Sequence, residues 1–422
     1  MTKTAPQKAS LYAWIVWLIG ALFFYFAYIL RVSPESISQF IANSHSDLTG
    51  DDVVNYFATA FLIPYVIMQL PVGILIDRFG ARRIVSLGLL MVGISQLIFV
   101  TSGHIEWMIG SRILLGIAAS FAFISAIRLA TIWFPPHQLG MLAGLTQAMG
   151  MVGASVQRPL FEDLFFGYFQ WTWQGVFWGF SIFFMALSAL AWLIIRDRSD
   201  QAKATEDKGS SSFLQQFWVV IKHPQTWFVG SFAGMLYVPL ILLGEVMGKK
   251  FFITTQSWVM DVGQVQAEWG AKLAILFIFW GFTVGGFIIG AWSDSMKKRR
   301  PFLLWSALVS LVLVTVVVYL DLSIYLELFM TCLMGIALGG LVVAYAMSGE
   351  IHRSSVTGVS IGLVNAISVL FGTLLVPAVT VLLKSYSVRD VFIIIPIAMI
   401  IAIVLSFFIK ETNCLRYEQR AS

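Results

Sequence analysis

The chain has 422 residues, of which 59% are apolar and only 12% charged, with a formal net charge of +5 and a mean hydropathy of +0.85. Soluble domains carry about 25% charged residues, so this composition excludes a water-soluble fold. It requires an all-α membrane protein, because lipid offers no partner for free backbone groups and the sequence lacks the short alternating strands of a membrane β-barrel.

In chain order, twelve segments reach the length a helix needs to cross a bilayer, about 20 apolar residues. They are placed near 12–33, 53–76, 84–103, 107–131, 139–160, 173–195, 225–248, 269–291, 302–320, 325–347, 357–383 and 389–410. The first apolar run has no small-residue cleavage site and reads as a retained span. Pro239 and Gly244 are expected to kink the seventh span. The only long polar interval follows the sixth span. It contains "RDRSDQAKATEDKGSSS", whose Ser, Gly and charges read as a flexible linker. The next stretch, "FLQQFWVVIKHP", reads as an amphipathic helix at the membrane interface. The expected organisation is therefore a six-helix bundle over 1–195, a linker with an interfacial helix over 196–224, and a second six-helix bundle with a short tail over 225–422.

Basic residues set the expected orientation. Arg78, Arg82, Arg83, Arg196, Arg198, Lys203, Lys208, Lys222, Lys297, Lys298, Arg299, Arg300, Arg353, Lys410, Arg416 and Arg420 all fall in segments on one side of this topology. The positive-inside rule then places both termini in the cytoplasm. The same bias explains the positive surplus without nucleic acid as a partner. No Asn begins an Asn-x-Ser/Thr acceptor, which leans toward a bacterial inner membrane. Cys332 and Cys414 lie far apart and no histidine is near another in sequence, so neither a disulfide framework, a metal site nor a cofactor is expected.

The chain repeats itself. "GILIDRFGARR" (Gly73 to Arg83) and "GAWSDSMKKRR" (Gly290 to Arg300) share a Gly-x-x-x-Asp frame with a following Arg-Arg. The step from Gly73 to Gly290 equals those from Asp77 to Asp294 and from Arg82 to Arg299. "GMLAGLTQA" (Gly140 to Ala148) and "GVSIGLVNA" (Gly358 to Ala366) match at an offset only one position longer. Two matched sites at nearly equal spacing indicate duplicated halves, a signature of secondary transporters.

On these residues the sequence resembles the major facilitator superfamily along nearly its whole length. Gly73, Asp77, Arg78, Gly80, Arg82 and Arg83 are similar to that family's loop signature between spans 2 and 3, with Ala81 in place of a common Arg. In the second copy Ser295 replaces the Arg and Lys297 the second Gly. Arg112 with Gly116, the "WFP" of Trp133 to Pro135, and Trp171, Trp173 and Phe177 also resemble family patterns. The resemblance implies twelve transmembrane helices in two pseudo-symmetric six-helix bundles. It further implies alternating access, with Asp77 and Asp294 in a latch formed with Gly73, Arg78, Gly80, Arg82, Arg83 and Gly290. Span 5 has no Gly-Pro pair, unlike the family's drug antiporters.

Charges inside spans are costly and mark pathways. Phe24, Tyr28, Arg31 and Glu35 share one helical face, and Tyr28 with Arg31 resembles a pattern of organic-anion members. Arg128 is the expected substrate-anion contact. Gln147 and Asn365, at equivalent repeat positions, are expected to bond a polar solute. Glu245 stands out as the acid well within an apolar run and reads either as a proton carrier or as half of a structural ion pair with Arg31. The expected function is transport of a small polar organic solute, an organic anion, amino acid or short peptide, by alternating access, with proton symport or facilitated uniport as the coupling. The expected partners are the solute, protons and the lipid bilayer, with the chain acting as a monomer. The alternative is proton-linked efflux of amphipathic compounds. A receptor would need an added soluble module, and an enzyme a nucleophile–base or metal constellation; the sequence shows neither.

Overall fold

A computed structural model describes residues 10–44, 48–196, 213–256, 258–261, 264–383 and 385–421. Among the described residues there are helices and turns but no strand. Among the described residues eleven helices are long and apolar enough to cross a membrane, and a bent pair, Asp52–Gln69 with Pro71–Phe79, makes a twelfth when taken as one span. The pair bends by 53° where Pro71 lacks an N–H and its ring clashes with the carbonyl one turn earlier.

The chain divides into two compact units. One comprises Met1–Pro135 and Val152–Gln216, the other Pro136–Met151 and Phe217–Ser422. The helices of the first are α1 (Leu11–Val32), α2 (Pro34–Ala42), α3 (Gly50–Phe79), α4 (Ala81–Thr101), α5 (Ile105–Trp133), the later part of α6 (Leu139–Arg158), and α7 (Trp173–Ile194). Here α5 packs on α1, α3 and α4, and α4 packs on α7.

The second unit takes the start of α6 and continues from Phe217, within α8 (Phe213–Ile221). It follows with α9 (Pro224–Pro239), α10 (Gly248–Thr255), α11 (Trp258–Asp261), α12 (Gln264–Met296), α13 (Arg300–Tyr319), α14 (Ile324–Leu338), α15 (Leu341–Ser348), α16 (Thr357–Leu382), α17 (Val388–Val391), α18 (Ile394–Phe408) and α19 (Tyr417–Ala421). Here α14 packs on α12 and α13, and α13 on α18, as α5 packs on α3 and α4, and α4 on α7. One contact shows why the two patterns agree. A Cβ on Gly116 would collide with the Phe61 carbonyl, and a Cβ on Gly335 with the Ile278 carbonyl. Both glycines let two backbones touch, and Phe61 and Ile278 are equivalent positions of the duplicated sequence.

Residues 197–212 of the expected linker lie outside the described residues. The helix expected after it is present as α8, with Trp218 and Val219 exposed and the Lys222 ammonium 5.7 Å from the Trp218 ring. The kink expected at Pro239 takes the form of a widened turn. Helix α9 ends at Pro239 and a π-helical segment, Leu240–Val246, follows.

Candidate functional site

The first copy of the repeated loop begins at the end of α3. Gly80 ends that helix with φ 84° and ψ 158°, a conformation open essentially to glycine alone. The turn leaves Asp77 facing inward, its side chain 1% exposed, and Arg128 of α5 meets it with Nη2 3.0 Å from Oδ1. Thr131 lies on the same face of α5 and accepts from Arg128 Nη1 at 3.4 Å. Arg82 Nε donates to the Trp192 carbonyl at 2.7 Å, and its guanidinium lies 4.4 Å from that indole. Arg78 stays at the surface beside the Phe79 ring, and Arg83 is exposed. Two residues expected in separate roles, Asp77 in a latch and Arg128 at a solute, are thus one buried ion pair.

A second arginine of α5 fixes the end of α1. Arg112 is 2% exposed and donates to the carbonyls of Leu30 at 2.8 Å and Arg31 at 3.0 Å. Those carbonyls belong to the last turn of α1, where the helix dipole favours a cation. With its backbone held in this way, Arg31 donates from Nη1 to the Tyr28 hydroxyl at 3.0 Å and lies 4.9 Å from the Tyr28 ring. Phe24 meets the same ring edge-on at 5.2 Å. The face read from the sequence therefore carries an oriented guanidinium that is half-buried.

In the second unit Asp294 accepts from two backbone N–H groups at the start of α6, Gly140 at 3.1 Å and Met141 at 2.7 Å. A carboxylate at a helix N-terminus meets unsatisfied donors and the positive end of the dipole. A Cβ on Gly140 would come within 2.7 Å of the Gly290 carbonyl and 2.9 Å of Asp294 Oδ1, so this approach needs glycine. Arg299 lies at 2.7 Å from Asp294 and 2.8 Å from Glu350, with its side chain fully buried. Burial disfavours the charged guanidinium, but the carboxylates of Glu350 and Asp294 more than offset this and hold Arg299 above its ordinary range. The segment after α18 closes over this cluster. Glu411 accepts from the Arg299 and Arg300 N–H groups at 2.9 Å each, capping α13, and Thr412 donates to Glu350 Oε2 at 2.5 Å.

The other expected residues fall as follows. Gln147 and Asn365 are both buried, at 5% and 4% exposure. Glu245 lies in the widened turn after α9, half-buried, and accepts from the Tyr237 hydroxyl at 2.8 Å. It is not the only acid within a membrane-length helix: Glu327 on α14 is fully buried. Glu350 and Glu327 were missed in the sequence. Glu327 was visible there as an acid inside "IYLELFMTC"; Glu350 sits just past an apolar run and reads as a loop charge. The involvement of Glu411 and Thr412 had no local signal.

The Major Facilitator Superfamily model matches residues 9–265. A probable sulfoacetate transporter, SauU, of Cupriavidus necator is 28% identical over 142 residues, 34% of this chain and 33% of the relative. A probable galactarate/D-glucarate transporter, GarP, of Escherichia coli is 24% identical over 271 residues, 58% of this chain and 59% of the relative. The chain thus spans less than two thirds of each of these relatives. Among solved structures, the E. coli fucose:proton symporter FucP superposes with a TM-score of 0.74 at 13% identity, covering 95% of this chain and 100% of that one. At that identity the likeness is one of fold.

Proposed function

The chain belongs to the major facilitator superfamily, and on that premise we propose that it is a secondary transporter that moves a small organic anion across a bacterial inner membrane by alternating access. The observation that carries the choice of an anion is Arg31. Its guanidinium is oriented by the Tyr28 hydroxyl and ring, while Arg112 ties down the backbone it hangs from. A planar guanidinium held in this way suits a carboxylate or sulfonate bidentately. Arg128 instead pairs with Asp77. Relatives described as transporters of sulfoacetate and of galactarate or D-glucarate, all acidic solutes, support the same reading.

In this proposal Tyr28 and Arg31 contact the anion, and Gln147 and Asn365 bond its hydroxyl groups. Asp77 with Arg128, and Asp294 with Arg299 and Glu350, act as latches that hold one state. Both termini lie in the cytoplasm, and Glu245, bonded to Tyr237, takes part in proton coupling. The two compact units correspond to the two halves of the duplicated sequence, with the start of α6 lent to the second.

The test is a thermal-shift panel of the purified protein with short dicarboxylates, sulfocarboxylates, amino acids, neutral sugars and cationic drugs. It is followed by uptake of any hit into proteoliposomes. Acidic solutes should stabilise the wild type. Arg31→Gln should weaken their binding about 10- to 100-fold, the loss expected for one charge-assisted pair, and Arg31→Lys should weaken it less. Stabilisation by neutral sugars or cationic drugs alone would overturn the choice of solute.

A further inference from the structure

Five segments of the second unit converge around the first turn of α14. Gln256 donates from Nε2 to the Val317 carbonyl at 3.2 Å, joining the end of α10 to the end of α13. Arg389 of α17 donates to the Thr255 carbonyl at 2.7 Å and to Asp321 Oδ1 at 2.5 Å. The Trp258 ring and Ile324 meet over Gly270, and Glu327 lies one turn after Ile324 on the same side of α14. Glu327 is fully buried, yet neither of its carboxyl oxygens has a hydrogen-bond partner among the described residues. The same is true of Gln256 Oε1, Trp258 Nε1, Tyr319 OH and Arg389 Nε. Buried polar atoms are almost always paired, so five such residues gathered at one place call for a physical account.

We propose that Glu327 is a proton-binding site, occupied by a proton in this structure. An ionised carboxylate can only accept, and in a fully buried site with no protein donor on either oxygen its charge is uncompensated. The neutral acid offers one donor and one acceptor. That matches surroundings that hold both an orphan acceptor, Gln256 Oε1, and orphan donors, Trp258 Nε1 and Arg389 Nε. Among the described residues, the charged groups on the neighbouring elements are exposed, as Lys250 of α10 is, or have other contacts. Arg389 is paired with Asp321, whose side chain is 54% exposed. Asp390 accepts from the Ser387 hydroxyl at 2.6 Å. On α12, Glu268 is paired with Lys249 at 3.3 Å, and the Lys272 ammonium lies 5.6 Å from the Trp269 ring.

Arg389 supplies the release step. Asp321 is solvated well enough to stand alone, so the guanidinium can exchange it for Glu327. The Glu327 O–H bond then breaks, its proton passes to water, and the carboxylate left behind pairs with Arg389 while the Asp321 carboxylate turns to solvent. Proton uptake reverses each step, and charge is conserved throughout. The site does not depend on which solute the chain carries.

The experiment is infrared spectroscopy of the full chain in lipid nanodiscs, titrated with pH in the absence of solute. At neutral pH the wild type should show a protonated-carboxyl C=O band that is lost in Glu327→Gln and kept in Glu245→Gln. If Glu327→Gln removes only carboxylate absorption, Glu327 is an anion and the proposal is overturned. Arg389→Gln provides a second reading that keeps Glu327 in place. Without the competing guanidinium, the band should persist to higher pH, its midpoint shifting by at least one unit, a tenfold gain in proton affinity. An unchanged or more acidic midpoint would also overturn the proposal. Because no solute is present, loss of this site leaves the transport reading standing, and failure of every solute to bind leaves the band unaffected.

Discussion

In the first unit Asp77 is met by Arg128, which reaches it from a different helix; in the second, Asp294 is met by Arg299, from its own loop. The repeat explains the difference. Tyr345 occupies the position equivalent to Arg128, so the second copy has no arginine at that place, and Ser295 stands where Arg78 would be. The first arginine of the Arg-Arg pair has taken over. In the first copy that residue, Arg82, turns to the Trp192 carbonyl and indole; in the second, Arg299 turns inward to Asp294 and Glu350. The balance of charge differs as well. Asp77 and Arg128 cancel, whereas two acids share Arg299, and the surplus is met by neutral donors: the Gly140 and Met141 N–H groups and the Thr412 hydroxyl. A repeated motif thus conserves the acid while leaving open where its counter-charge comes from.

Removing the cation from each copy should give the largest effect and break this comparison if it is wrong. Arg299→Met leaves two buried carboxylates facing each other, and should cost about 3–5 kcal/mol of stability, as expected when one partner of a buried ion pair is removed. Arg128→Met leaves one carboxylate, and should cost about 2–3 kcal/mol. Tryptophan-monitored thermal unfolding in a fixed detergent gives the ranking. Adding Asp77→Asn to Arg128→Met should recover most of the loss, because nothing charged remains unpaired. Adding Asp294→Asn to Arg299→Met should recover only part, because Glu350 remains. Equal rescue in both units would mean that Glu350 is not part of the second cluster.

Much of this could be read from residue types and spacing. The spans follow from apolar length, the bend in α3 from Pro71, and the duplication from two loops that share one frame. The face carrying Tyr28 and Arg31 follows from helical periodicity. Pairings across the fold were less legible. Arg128 sits in an apolar run and on sequence grounds looks available to a solute; its partner Asp77 is brought to it only by the packing of α3 on α5. Glu350 looks like an ordinary loop acid until Arg299 and Thr412 close on it. Local spacing encodes a helix face, but it does not encode which distant side chain will neutralise a charge on that face.

A more gradual effect should separate the units by pH. His352, 5% exposed, has Nε2 2.8 Å from the Thr226 hydroxyl and its ring 4.7 Å from the His223 ring. Burial first, then the nearby charges of His223 and Arg420, pull it down to about 4. Phe134 and Pro135 occupy the matching place in the first half, and neither has a charge to titrate. The unfolded chain binds a proton at this histidine below about 6.5, while the folded chain does so only near 4. Stability is therefore kept above about pH 6.5 and lost as pH falls toward 4, at up to about 1.4 kcal/mol per pH unit from this group. His352→Gln should flatten the wild-type decline across that window. An unchanged slope would show that the acid sensitivity of the second unit arises elsewhere.

The smallest predicted effect concerns the backbone of the two loops. Gly80 has φ 84°, and Lys297, its counterpart in the second copy, has φ 53°. Both loops need a positive φ to turn from one helix into the next, but only the first uses the residue that adopts it without strain. Lys297→Gly should relieve that strain and, after the added freedom of the unfolded chain is subtracted, raise stability by about 0.5–1 kcal/mol. Gly80→Ala should lower it by about 1–3 kcal/mol, because ψ 158° at that φ lies in a region nearly closed to side chains. The two changes have opposite signs at equivalent positions, so melting curves of the pair test whether the loops share one backbone path. If Lys297→Gly destabilises, the lysine side chain makes a contact worth more than its strain, and the second loop has diverged in its backbone as well as in its counter-ion.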